Sequence, residues 1–165
     1  MVNEFLSGAG GHRSWQMGFD NARSVFTLTV GHHILWRVIV TQKRIRITAS
    51  PVIMEADLNS SKTAQLIWDA LPIEARGNTW GDEIYFSIPV ETGAEHPQEL
   101  VELGALAYWP PGTAFCIFFG PTPMSRGNEI RPASAVNVIG RLIGAPKAFK
   151  QVKNGTVVRI EKVAE

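Results

Sequence analysis

The chain has 165 residues, of which 45% are hydrophobic and 19% charged, and it carries a net charge of +1 at neutral pH. A chain of this length buries roughly two-thirds of the surface it exposes when unfolded, so one ordinary domain needs no staples and disorder of the whole chain is excluded. The even charge balance offers no basic field to nucleic-acid phosphates or an anionic membrane, so neither partner is expected.

Residues 1 to 42 differ in character from the rest, with glycines at 8, 10 and 11, three of the four histidines and then a β-branched run. Two readings stand for this extension. One is a flexible tail with one extra strand or strand pair around 25 to 40; the other is an over-extended reading frame whose true start lies at Val38 or Val40. The run "SVFTLTVGHHILWRVIV" (24 to 40) is interrupted by Gly31, His32, His33 and Arg37, and it is short for a membrane span of about 20 residues. No signal peptide with a basic start and an apolar middle is visible.

Regular patterning begins at Lys43. "KRIRITAS" alternates Arg44, Arg46 and Thr48 with Ile45 and Ile47, the period of a strand with one buried face. "VIMEADL" (52 to 58) follows Pro51 as its antiparallel partner. "NSSKTAQLIWDALP" then predicts a helix of about three turns, with Asn59 or Ser60 as N-cap, Ala64, Ile67, Trp68 and Leu71 on one face, and Pro72 as the stop.

"EIYFSIPV" (83 to 90) sets Ile84, Phe86, Ile88 and Val90 against Glu83, Tyr85, Ser87 and Pro89. "LVELGALAYW" (100 to 109) reads as two short strands about a bend at Gly104, ended by the rigid turn Pro110-Pro111-Gly112. "TAFCIFFG" (113 to 120) is apolar on both faces, so each face must be covered. Either Ala114, Cys116 and Phe118 or Phe115, Ile117 and Phe119 point outward.

Residues 120 to 134 form a long ordered loop rich in proline and glycine. "AVNVIGRLI" (135 to 143) is a strand with Asn137, Ile139 and Arg141 opposite Val136, Val138 and Leu142. "APKAFKQV" (145 to 152) is a second short helix, and Asn154-Gly155 turns into the last strand, "TVVRIEKV".

About eight short strands and two short helices, with the strands joined by turns, predict a mainly β fold: a closed antiparallel barrel over 43 to 165. A barrel of this size is filled by its own side chains, which leaves the outer wall or the rim as the place for a site. Aromatic rings on the outward faces would then form a binding surface.

The segments "NTWGDEIYFSIPV", "VELGALAYWPPGTAFCIFFGPTPMS" and "IRPASAVNVIGRL" resemble the small prokaryotic cyclophilin-like family. The resemblance runs from about Lys43 to the C-terminus and implies a cyclophilin-type β-barrel of largely unassigned role. Cyclophilins proper are peptidyl-prolyl isomerases that seat a proline ring in an apolar hollow on the outer wall beneath an arginine. Here the resemblance suggests a hollow of Trp80, Tyr108, Phe118 or Phe119, and Met124, with Arg131 or Arg126 as donor. The Phe-x-x-Gln-Gly-Gly type segment of true cyclophilins is missing, so no catalytic residue carries over.

Other candidate groups have plain structural readings. Cys116, the single cysteine, reads as a buried structural residue, since the one histidine of the matched region, His96, sits in a polar loop. His32 and His33 are neighbours that point to opposite faces of a strand, so no metal is expected, and no cofactor either. Glu83 beside Tyr85 is retained as a polar anchor. Three readings of function follow: a binding module for a proline-containing peptide or small molecule, a prolyl isomerase, and a protein whose aromatic surface is buried in a homo-oligomer. The lone cysteine suggests a reducing, cytoplasmic setting.

Overall fold

The computed structural model describes residues 13–20, 23–30 and 33–163, and the chain falls into two compact units that divide between Gln42 and Lys43. The glycines at 8, 10 and 11, Gly31 and His32 lie outside the described residues. The first unit is a three-stranded antiparallel meander of β1 (Arg13–Asp20), β2 (Arg23–Val30) and β3 (His33–Thr41). Around 25 to 40, where the sequence suggests one strand or a pair, lie β2 and β3, and β1 precedes them. Trp15, Met17 and Phe19 of β1 already carry the period of two, although Gly18 and Gln16 weaken its strand propensity.

The second unit contains β4 (Arg44–Ala49), β5 (Val52–Leu58), the helix α1 (Lys62–Ala70), β6 (Ile73–Arg76), β7 (Asn78–Thr79), β8 (Glu83–Ser87), β9 (Ala105–Trp109), β10 (Ala114–Phe118), β11 (Asn137–Ile143) and β12 (Val157–Lys162). Its nine strands form one antiparallel sheet in the order β6-β12-β4-β5-β11-β9-β10-β8-β7. The two ends of that order are consecutive in the chain, so residues 73–79 nearly close the sheet into a barrel. The crossing is made at Gly77, whose N–H donates to the Thr156 carbonyl (2.9 Å) and whose carbonyl accepts from Gly155 N–H (2.8 Å). A Cβ at this position would meet Ile84 at 3.0 Å and Val158 at 3.1 Å.

The alternation of the strands decides which side chains fill the barrel. Ile45 and Ile47 of β4, Ile84 and Phe86 of β8, Leu106 and Tyr108 of β9, Phe115 and Ile117 of β10, and Ile160 of β12 are buried in one core. The outward Arg44 and Arg46 pair across the strands with Asp57 (3.0 Å) and Glu55 (3.3 Å).

Four details depart from the sequence reading. Residues 100–103 are not a strand; they make only an isolated bridge, Val101 with Ile130. The second helix, Pro146–Gln151, is 3-10. In β11 a register shift between Val138 and Gly140 changes the phase, so Ile139 and Leu142 both turn inward. The cap of α1 is Ser61, whose hydroxyl accepts from Ala64 N–H (3.1 Å). Asn59 instead supports that cap, accepting from both Ser61 N–H (3.1 Å) and the Ser61 hydroxyl (2.6 Å). Ser61→Ala is therefore expected to cost about 1 kcal/mol, read as a lower urea midpoint with an unchanged slope.

Candidate functional site

The outer face of β8, β10 and β9 carries Glu83, Tyr85, Ala107, Trp109, Cys116 and Phe118, because Phe118 lies opposite Glu83, Cys116 opposite Tyr85 and Ala107 opposite Cys116 in the ladder. Of the two outward sets open for β10, the one holding Cys116 and Phe118 is realised. This second apolar layer is covered by the segment after β10: Ile130 and Val136 pack on Ala107, Cys116 and Phe118.

A tight set of hydrogen bonds fixes that covering loop. The Thr122 hydroxyl donates to the Arg131 carbonyl, while Ser125 Oγ accepts from the N–H groups of Thr122 (2.9 Å) and Arg131 (3.1 Å). The loop is anchored to the turn before β8 by Asp82 N–H to the Pro121 carbonyl (2.9 Å). Gly81 takes φ +62 there, and a Cβ would sit 2.9 Å from both Pro121 O and Pro123 Cδ.

Between loop and sheet a hollow of about 220 Å³ remains, walled by Trp80, Tyr85, Trp109, Pro132, Ala133 and Val136, with Glu83 also in its lining. The Trp109 ring is held in place on two sides. Its indole N–H donates to Ser134 Oγ (2.7 Å), and its six-membered ring lies against Gly112, where a Cβ would come within 2.4 Å of it. Among the described residues, neither the Tyr85 hydroxyl nor the Trp80 indole N–H has a protein partner, so both are available to a ligand.

Glu83 is the chemically unusual member. Only 6% of it is exposed, and burial pushes its carboxyl up to about 7, a hydrogen bond with the Cys116 thiol opposing the shift in part. Burial and the nearby carboxyl push the Cys116 thiol well up, so it stays protonated and donates to Glu83 rather than acting as a nucleophile.

The structure disperses the other residues singled out in the sequence. Tyr108 faces the barrel interior, where its hydroxyl donates to the Val90 carbonyl (2.8 Å), and Phe119 packs on Phe149 with ring centroids 6.1 Å apart. Strand alternation turns Tyr108 away from the wall that bears Trp109. Phe118 is fully buried beneath the loop, and Met124 is 48% exposed; neither lines the hollow.

Arg131 precedes the lining residue Pro132, but its guanidinium is engaged by Glu129 (2.9 Å) and Glu99 (3.6 Å), and Arg126 is not part of the lining. Trp80, Glu83 and Tyr85 do come together. Trp109 is legible as the outward neighbour of an inward Tyr108 once the phase of β9 is known. Pro132, Ala133 and Val136 have no sequence signal, because a long loop delivers them.

A second, larger concavity of about 560 Å³ lies by the N-terminus of α1 and includes Glu95 and His96. There Glu95 already accepts from the N–H groups of Lys62 (2.9 Å) and Thr63 (2.8 Å) and from the Thr63 hydroxyl (2.6 Å), which gives it a capping role. No cluster of three or more His, Cys, Asp or Glu suited to a metal occurs among the described residues, and no described helix is long and apolar enough to cross a membrane.

The second unit is mainly β, a nearly closed antiparallel barrel of nine strands with two short helices. The family model described as cyclophilin-like matches residues 43–161, and the chain belongs to that family. A hypothetical protein from Archaeoglobus fulgidus, solved in solution, is 44% identical; the match covers 74% of this chain and 95% of that one, with a TM-score of 0.64. No curated protein matches the sequence.

Proposed function

We propose that the protein is a non-catalytic binding module that holds a peptide or small molecule in the outer-wall hollow. The observation that carries this reading is the hollow itself: three aromatic side chains and Pro132 around a space of about 220 Å³, with donors on Tyr85 and Trp80 that have no partner among the described residues. Preformed apolar concavities with a few polar groups are the usual form of small-molecule sites. Cyclophilin-type isomerisation uses a guanidinium turned to the substrate, whereas Arg131 is ion-paired with Glu129 and Glu99 and is not in the lining of the hollow.

The test is a ¹⁵N–¹H titration of the full chain with a panel of X-Pro peptides and of neutral, anionic and cationic small molecules. Saturable shifts are expected at the Trp80 and Trp109 indoles and at Tyr85 with at least one panel member, without accelerated cis/trans exchange, which otherwise takes tens to hundreds of seconds. Gly112→Ala, which forces the Trp109 ring from its seat, removes the shifts while the rest of the spectrum stays folded. Catalysed exchange would replace this reading with the isomerase, and silence across the panel would remove it.

A further inference from the structure

Among the described residues, the Glu83 carboxyl has no cationic partner. Every ion pair of the neighbouring charges leads elsewhere: Asp82 is bound by Lys150 at 3.0 Å, and Arg131 is bound by Glu129 and Glu99. The groups that meet Glu83 are the protonated Cys116 thiol and Phe118 from β10, and Trp80 and Tyr85 from its own stretch of chain. None of these is charged. A buried carboxylate is normally paired or hydrogen-bonded several times over, so an acidic group left in this state at the wall of an open hollow lacks a counter-ion.

The walls say what kind of counter-ion fits. Trp80, Tyr85 and Trp109 line the space, and the negative face of an aromatic ring attracts a cation, most strongly one that is weakly hydrated. A bare metal ion needs several oxygen ligands, and the lining offers a single carboxylate. An anion would face that carboxylate. A neutral apolar group would fill the space and leave Glu83 unpaired. At about 220 Å³ the hollow is below the roughly 300–1,000 Å³ of sites for drug-sized ligands, so it suits a compact headgroup.

We infer that the outer-wall hollow is a receptor for a small organic cation, an alkylated ammonium group seated among Trp80, Tyr85 and Trp109 with its charge on Glu83. The inference rests on the reading of the hollow as a ligand site and names the chemical class of its ligand. Trp109, braced by Ser134 and Gly112, and Glu83, backed by Cys116, form the site in advance of the ligand, which limits the ordering cost of binding.

The experiment compares choline with 3,3-dimethylbutan-1-ol, its neutral isostere, by tryptophan fluorescence and calorimetry on the full chain at matched ionic strength. Choline is expected to bind at least tenfold more tightly than the alcohol at pH 8. Its affinity falls about tenfold between pH 8 and pH 6, because the carboxyl that titrates at about 7 is then mostly neutral. Glu83→Gln, with its fold checked by the ¹⁵N–¹H spectrum, abolishes both the preference and the pH dependence yet still binds the alcohol. Equal affinity for the two isosteres, or a preference for choline that ignores pH and survives Glu83→Gln, overturns the cation assignment while the hollow remains a ligand site. Failure of both isosteres also overturns it, and the wider panel then judges separately whether the hollow binds anything.

Discussion

Glu83→Gln is expected to make the protein more stable at pH 8 and to change little near pH 4.5. In the unfolded chain the carboxyl loses its proton near 4.5, whereas in the folded protein burial holds the proton until about 7. Between those values the folded state binds more protons than the unfolded one, so stability falls as pH rises through the window and levels off above it. Glutamine carries no such dependence and keeps an oxygen to accept from the Cys116 thiol. The gap between the two pH values corresponds to on the order of 3 kcal/mol at pH 8. Denaturant midpoints at pH 5 and pH 8 measure it. Equal stability of the two proteins at pH 8 contradicts the burial of an uncompensated carboxyl, and a difference independent of pH points to packing instead.

Phe115→Ala is expected to lower stability by about 3–5 kcal/mol, a large share of the 5–15 kcal/mol typical of a domain. Phe115 is wholly buried and sits at the centre of an aromatic rung, with Phe86 opposite it on one neighbouring strand and Tyr108 on the other. The Phe86 and Phe115 rings stack at 5.5 Å with an interplanar angle of 20°. The barrel wall on either side is hydrogen-bonded sheet, which resists collapse into the space that the ring leaves, so both the transfer and the cavity contributions are felt in full. Urea unfolding gives the loss directly, and a value below about 1 kcal/mol would be inconsistent with an inward Phe115 at this packing density.

The difference between Phe115 and its neighbour Cys116 shows how far the sequence could be read. "TAFCIFFG" is apolar throughout, so it signals two covered faces without saying which face is inside. The ladder settles it, because β8 has a legible phase and Phe115 pairs with Phe86 while Cys116 pairs with Tyr85. Tyr108 illustrates the same point: an aromatic side chain beside Trp109 in the sequence stands on the opposite side of the wall in space. Residues 73–79 are not legible as a strand in the sequence, since Gly77 interrupts a short stretch in which Ile73 is the one large apolar residue, although that glycine is what lets one segment serve both edges of the sheet. The Cys116 thiol and Glu83 meet only because β10 and β8 are neighbours.

Local chemistry in the sequence was sufficient for the period-two strands, the first helix, the rigid Trp-Pro-Pro-Gly turn and, from their number and order, an antiparallel barrel whose interior is core. These features depend on interactions a few residues apart or on burial patterns that repeat along one strand. The hollow depends on something else. Trp80, Glu83 and Tyr85 come from one stretch, Trp109 from another strand, and Pro132, Ala133 and Val136 from a loop held down by Thr122 and Ser125. Only the tertiary structure decided that these residues enclose a common space, and only that enclosure, by removing water from Glu83, turns an ordinary strand glutamate into a carboxyl that titrates near neutrality.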